Sequence, residues 1–194
     1  MIIFGAGSFS KILFLLFEKD FSLQKTGRII DCFSKINSES KEFWLKNNFQ
    51  IFNSIDSIKD NIKDENYIVA IGNHYGYERY QIISYLTKRN HSIKKLHHES
   101  AFVDKSAFIS NEAILMPKAT IMPLSRISNG CIVNTAAIID HEVIIDKGSH
   151  IMGSAYIAGR VKVGKWTTIG ANSTIFPDLT IGENCFIGAG SIVT

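Results

Sequence analysis

The sequence is short of cysteine and proline, with three of each among 194 residues, and it carries no block of like charge. Cys32, Cys131 and Cys185 show neither metal-ligand spacing nor an even count, so there is no basis for a disulfide framework, and free thiols in a reducing compartment are expected. The formal net charge of +3 is spread thinly along the chain. Without a Lys/Arg cluster, a nucleic-acid or anionic-membrane partner has little electrostatic support, although a phosphate-bearing small molecule needs no such cluster. No apolar stretch is long enough to span a bilayer, and Met1 runs into Ile2, Ile3 and Phe4 without a basic leader, so a cytoplasmic location is expected. What is present, 45% apolar and 20% charged residues, is an ordinary globular balance for one large or two small domains.

The second half carries a repeat. In steps of six stand Val103, Ile109, Leu115, Ile121, Ile127, Val133, Ile139, Ile145, Ile151, Ile157, Val163, Ile169, Ile175, Ile181, Ile187 and Val193, with no slip of register. If about a third of positions were aliphatic by chance, such a run would arise with a probability on the order of 10⁻⁸. Four places after each ladder residue the slot is mostly small, as at Ala107, Ala119, Cys131, Ala137, Ser149, Ala155, Ser173 and Cys185. A period of six fits neither a helix nor a hairpin meander; it fits short strands that turn a corner every six residues. Three sides close a triangular coil of about eighteen residues, with coils stacked at roughly 4.8 Å. Cys131 and Cys185 would then lie three coils, roughly 14 Å, apart, too far for a disulfide. The expected architecture is a parallel β-helix, and the period does not give its hand.

The first half reads as a small parallel α/β domain. Ile2-Ile3-Phe4 is a strand, Gly5-Ala6-Gly7 a turn, and about Ser10 to Lys19 an amphipathic helix. Such a turn lets a ligand approach the backbone and aims helix N–H groups at an anion, although Ser10 replaces the third glycine of the dinucleotide fingerprint. A second strand, Arg28-Ile29-Ile30, ends at Asp31; a third, Tyr67 to Ile71, ends at Gly72-Asn73 before a helix from about Tyr75 to Lys88. Three strand ends meeting at one edge make a binding site in open parallel sheets. The competing reading is a docking domain whose glycines only make turns. Lys59 to Glu65 reads as a solvated face or loop, Ser92 to Glu99 as the bridge to the first coil, and His97 and His98 as solvent-facing. The expected division is residues 1–97 and 98–194.

The hexapeptides Ile169-Gly170-Ala171-Asn172-Ser173-Thr174, Ile181-Gly182-Glu183-Asn184-Cys185-Phe186 and Ile187-Gly188-Ala189-Gly190-Ser191-Ile192 resemble the hexapeptide acyltransferase superfamily, whose members coil left-handed and usually form trimers. Within the repeat, Asn134-Thr135 and Asp140-His141-Glu142-Val143 resemble the active-site segment of the bacterial sialic acid O-acetyltransferase and UDP-4-amino-sugar N-acetyltransferase family. The likeness extends over almost the whole chain, through the glycine turn, Ala70-Ile71-Gly72-Asn73 and Gly148-Ser149-His150. It implies a Rossmann-like sugar-nucleotide-binding domain followed by a left-handed β-helix, acetyl-CoA as co-substrate without a metal, and a homotrimer with sites at subunit interfaces.

In that family the histidine matching His141 is the general base and the acid matching Glu142 raises its basicity. An amine or hydroxyl attacking a thioester must lose its proton, a task suited to imidazole, and a carboxylate on the other ring nitrogen fixes the tautomer. Neighbouring residues on a strand point to opposite faces, so Glu142 reaches its own His141 only near a corner; Asp140, or an acid across a subunit interface, are the alternatives. Positions eighteen apart stack, which makes a column of Gly153, Ala171 and Ala189 along which a pantetheine arm could lie, and places Gly159 one coil beyond His141. The resemblance assigns His150, Ala171 and Ala189 to the coenzyme, Gly159 is added to them for its place one coil beyond His141, and Gly7, Ser8, Phe9, Asp31, Cys32, Gly72 and Asn73 are assigned by the resemblance to the sugar nucleotide. Phe9 and Cys32 depart from the family pattern, which bears on which sugar or nucleotide is bound. The chain stops at Val193-Thr194 without the capping segment of relatives, so a truncated chain or a cap from a partner is expected.

The expected activity is N-acetylation of a nucleotide-linked 4-amino-4,6-dideoxysugar for a surface glycan, the alternative being O-acetylation of sialic acid or another sugar. A zinc lyase on this scaffold needs three converging histidines, and only His141 and His150 lie in the repeat. A non-enzymatic ice-binding or scaffold role finds no flat column of Thr.

Overall fold

A computed structural model describes residues 1–17, 27–31, 36–54 and 66–194. Of the helix expected from about Ser10 to Lys19, the last two residues lie outside the described residues, as do Lys59 to Glu65. The chain divides into two compact units: Met1–Ile71 with Ser84–Lys94, and Gly72–Ile83 with Lys95–Thr194.

The first unit is built on a parallel sheet of β1 (Ile2–Phe4), β2 (Gly27–Ile30), β3 (Phe49–Phe52) and β4 (Tyr67–Val69), in the order β3-β2-β1-β4. β1 is central and fully apolar, pairing Ile3 with Ile29 and with Ile68. All three are buried, as expected of a strand covered on both faces. Helix α1 (Ser8–Leu16) follows the glycine turn, and α2 (Ser38–Lys46) opens on an Asn37 cap that accepts from the Ser40 amide at 2.8 Å. Phe14, Phe43, Trp44 and Phe49 form an edge-to-face aromatic cluster, and the buried Trp44 indole donates to the Ala6 carbonyl at 3.2 Å. Gly5 has to be glycine: its φ is +99° and a Cβ would stand 2.8 Å from the Ala70 carbonyl oxygen.

The second unit is a parallel β-helix. Its strands are two residues long, from β5 (Leu96–His97) to β21 (Ile192–Val193), and form three parallel sheets in which each strand pairs with the one three further along. Ile138-Ile139 lies beside Tyr156-Ile157, eighteen residues on, and Tyr156-Ile157 beside Thr174-Ile175. The second residue of each strand points inward, and from Leu115 to Ile175 these side chains are essentially inaccessible, filling the prism. Most corners are turned by a residue in the left-handed region, among them Ala136, Glu142, Ser154, Arg160, Asn172 and Asp178 at φ between 56° and 65°. The small slot also bonds: Ser149, Thr167 and Ser173 hydroxyls donate to carbonyls fifteen residues on at 2.7–2.8 Å, and the Cys131 thiol reaches the Asp146 carbonyl at 3.0 Å. Cys131 and Cys185 are free.

Helix α3 (Gly76–Thr87) begins in this unit. Gly76 and Gly148 approach so closely that a Cβ on either would collide with the other's carbonyl oxygen. Leu96-His97, expected to be a bridge, is already a sheet strand paired with Ile114-Leu115, and His97 is half-buried with Nε2 inaccessible, not solvent-facing. Pairing with the coil is what covers it. Among the described residues no helix is long and apolar enough to cross a membrane.

Candidate active site

His141 and Glu142 occupy a corner between β12 (Ile138–Ile139) and β13 (Ile144–Ile145). Glu142 takes the left-handed conformation, φ +59°, so the alternation of strand side chains is broken and both residues project outward. The Glu142 carboxylate lies 3.0 Å from His141 Nδ1, about half of each side chain being exposed. Nδ1–H donates to the Glu142 carboxylate, the arrangement that in the neutral imidazole places the lone pair on Nε2.

The corner is fastened on every side. Asp140 Oδ1 accepts from the His141 amide at 2.7 Å, and its Oδ2 accepts from the Tyr156 hydroxyl at 2.6 Å. That hydroxyl, more than any other contact, holds the Asp140 carboxyl below its ordinary pKa. The Glu142 amide donates to the Pro123 carbonyl at 2.9 Å, and the Arg160 amide to the His141 carbonyl at 3.0 Å. One coil on, Arg160 grips Asp178 with two bonds of 2.6 and 2.7 Å.

His150 is buried, and both its nitrogens are engaged. Nδ1 stands 3.0 Å from the Asn73 carbonyl and must donate to it, which leaves Nε2 to accept from Asn134 Nδ2 at 3.1 Å; Asn134 Oδ1 in turn accepts from the Thr135 amide at 2.7 Å. Burial, then the Arg79 charge, lowers the His150 pKa to about 4, so this imidazole is neutral at physiological pH. Gly153, Ala171 and Ala189 stack on one corner, where the Asn172 amide donates to the Gly153 carbonyl and the Gly190 amide to the Ala171 carbonyl at 3.0 and 2.8 Å. Gly159 is buried beneath His141.

In the first unit, Gly7, Ser8 and Phe9 form the end of the β1 turn and the start of α1, and the buried Asp31 follows β2 directly, so both lie at the carboxyl edge of the sheet. Cys32 lies outside the described residues. Gly72 and the exposed Asn73 belong to the second unit.

Sequence reasoning did not find a cleft of about 400 Å³ lined by His74, Trp166, Thr168, Asn184, Cys185 and Phe186. Thr168 and Phe186 follow His150 in register on one sheet, which the eighteen-residue step encodes, whereas nothing in the sequence signals that His74 joins them. Its aromatic rings, hydroxyl and amide suit a small polar ligand with an apolar face. Among the described residues no three His, Cys, Asp or Glu side chains gather as a metal site.

The fold and this corner define a hexapeptide-repeat parallel β-helix that carries a histidine–carboxylate pair. Residues 142–177 match the family model described as bacterial transferase hexapeptide (six repeats). No curated protein matches the chain. Among solved structures, the acetyltransferase domain of PglB from Neisseria gonorrhoeae FA1090 is similar over 100% of this chain and 90% of its own, with 23% identity and a TM-score of 0.82. Its complex with acetyl coenzyme A matches over 99% and 91%, again with 23% identity, at a TM-score of 0.79. A histidine-to-alanine mutant of GDP-perosamine N-acetyltransferase from Caulobacter crescentus, in complex with CoA and GDP-perosamine, is similar over 100% and 87%, with 21% identity and a TM-score of 0.78. At these identities the likeness is one of fold.

Proposed function

We propose that the protein is an acetyl-CoA-dependent N-acetyltransferase that acetylates the amino group of a nucleotide-linked 4-amino-4,6-dideoxysugar for a cytoplasmic step of surface-glycan synthesis. His141 is the general base, Glu142 its orienting acid, and the coil left-handed. The observation that carries this reading is the corner pair, in which a carboxylate 3.0 Å from Nδ1 leaves Nε2 as the acceptor on a partly exposed imidazole. Similar in fold over 99% and 100% of the chain are an acetyltransferase domain bound to acetyl coenzyme A and an N-acetyltransferase mutant bound to CoA and GDP-perosamine.

In the reaction the sugar amine attacks the thioester carbonyl, the C–N bond forms as the C–S bond breaks, and Nε2 takes the proton that nitrogen sheds. Glu142 stabilises the imidazolium through Nδ1–H. The proton can then pass to the departing thiolate, which balances the transfer. The coenzyme is assigned to the corner of Ala171 and Ala189, with His150 and Gly159 as further contacts. Gly7, Ser8, Phe9 and Asp31 are assigned to the nucleotide, with Cys32, Gly72 and Asn73 as further substrate contacts, in a homotrimer.

The test is thiol release from acetyl-CoA against UDP-, dTDP- and GDP-linked 4-amino-sugars, with free sialic acid included. Turnover of one amino-sugar nucleotide that disappears in a folded His141→Ala variant is the expected result. Turnover of sialic acid alone would make the protein an O-acetyltransferase, and activity retained without His141 would remove the base from the mechanism.

A further inference from the structure

The base rests on a residue whose contribution is an absent side chain. A Cβ built on Gly159 would lie 2.4 Å from His141 Nε2, 2.6 Å from Cε1 and 3.1 Å from Cδ2. Real Cβ contacts do not come so close, so any side chain at 159 would displace the outer edge of the imidazole, the edge that bears the proton acceptor.

Three observations separate this from a glycine that merely suits a tight corner. First, the backbone does not require glycine: Gly159 is outside the left-handed region. Second, the stacked coils place Pro123, His141, Gly159 and Pro177 in one column, bonded in sequence from the Glu142 amide to Pro123, the Arg160 amide to His141 and the Asp178 amide to Gly159, at 2.9, 3.0 and 3.1 Å. Two prolines and a histidine in the same slot show that it accepts a side chain, at a φ near −65° that ordinary L-residues adopt. Third, Gly159 is buried, whereas Pro123 is half-buried and Pro177 exposed, so it is the member of the column that a neighbour covers.

We propose that Gly159 is a positioning residue for His141: its missing side chain forms the seat on which the imidazole lies, with Nδ1 turned to Glu142 and Nε2 held over the following coil. Whatever its backbone offers a coenzyme, the absence of a side chain serves the base. The inference rests on the reading of His141 as base, and its test separates the two.

Gly159→Ala is compared with the wild-type protein by the ring 13Cε1 resonances of labelled histidine, His141 being assigned by its loss in His141→Ala. The expected result is a displaced His141 resonance with the other five in place. At saturating substrates kcat falls about 100-fold, the loss expected for an ångström-scale misplacement of a catalytic group, while both KM values stay within about threefold. If Gly159→Ala lowers the melting temperature, adding His141→Ala should restore it to that of His141→Ala alone, because the seat is then empty. An unmoved resonance, a raised KM for acetyl-CoA with kcat intact, or an instability that persists without His141 would each overturn the proposal. Should the wild-type enzyme turn over no acceptor, the proposed function fails, and the resonance and melting comparison still decide the seat.

Discussion

Consecutive residues reach one another at His141 and Glu142 because the chain is turning there, and the turn costs something. A non-glycine residue in the left-handed region is strained by roughly 1 kcal/mol or more. The strain persists at Glu142 because its amide is tied to Pro123 while the neighbouring Asp140 is held by Tyr156. Asp140, the alternative acid, has both carboxylate oxygens committed, one to the His141 amide and one to the Tyr156 hydroxyl. Glu142 alone faces Nδ1 among the described residues. Replacing Glu142 by Gln keeps the shape and removes the charge that stabilises the imidazolium. The expected loss is about 10- to 100-fold in kcat with an unchanged melting temperature, below the effect of a fully buried triad carboxylate because the pair is half exposed. Thiol-release kinetics on the variant check it, and a kcat equal to wild type would leave the carboxylate without a role.

At the scale of elements, the start of α3 is fixed by a residue of a kind seldom buried. Arg79 is inaccessible, and its guanidinium donates from Nε to the Gly130 carbonyl and from Nη2 to the Gly148 carbonyl, each at 2.6 Å. Burial lowers its pKa to about 10, so it stays charged at neutral pH. One planar fork serves two corners that stack eighteen residues apart, which a lysine cannot do. Arg79→Ala is expected to destabilise the protein by about 2–4 kcal/mol, as two charge-assisted bonds are lost and two carbonyls are left unpaired, and Arg79→Lys by an intermediate amount. Chemical denaturation measures both, and equal stability of the lysine variant would refute the fork argument. The same element shows where sequence reading stops. The six-residue period exposes the ladder and its registers, because each coil repeats the last, but it leaves open whether His141 and Glu142 share a corner. It says nothing of Arg79 or His74, since a helix laid on a coil leaves no period in the sequence, and β3 with α2 escaped notice because their core is an aromatic cluster of mixed spacing. Glycine composition likewise could not separate Gly5, which the backbone demands, from Gly159, which a neighbouring ring demands. The expected strands at 28–30 and 67–71 and the helix at 75–88 differ from the observed elements by two residues or fewer at their ends.

For the molecule as a whole, stability is tied to keeping imidazoles neutral. His150 has its folded pKa lowered to about 4 by burial, and His97 likewise, chiefly by burial and then by the Lys95 charge. Both unfold to an ordinary value near 6.5. Because the unfolded chain binds protons first, their contribution is complete above pH 6.5 and is lost as the pH falls towards 4. For the inaccessible His150 the loss amounts to about 3 kcal/mol at the lower limit. Protonation there would also deprive Asn134 of its acceptor at Nε2 and bring a second cation near Arg79, so the corners around β11 (Ile132–Val133) and β14 (His150–Ile151) should open first. The melting temperature should be flat between pH 8 and 7 and should fall by several degrees between 6.5 and 5, a range in which most carboxylates are still ionised. A His150→Gln variant, less stable at pH 7 but without the titrating ring, should show a shallower fall over the same range. If the two slopes coincide, the acid sensitivity belongs to His97 or to the carboxylates, and the neutral His150 is not what limits the fold at low pH.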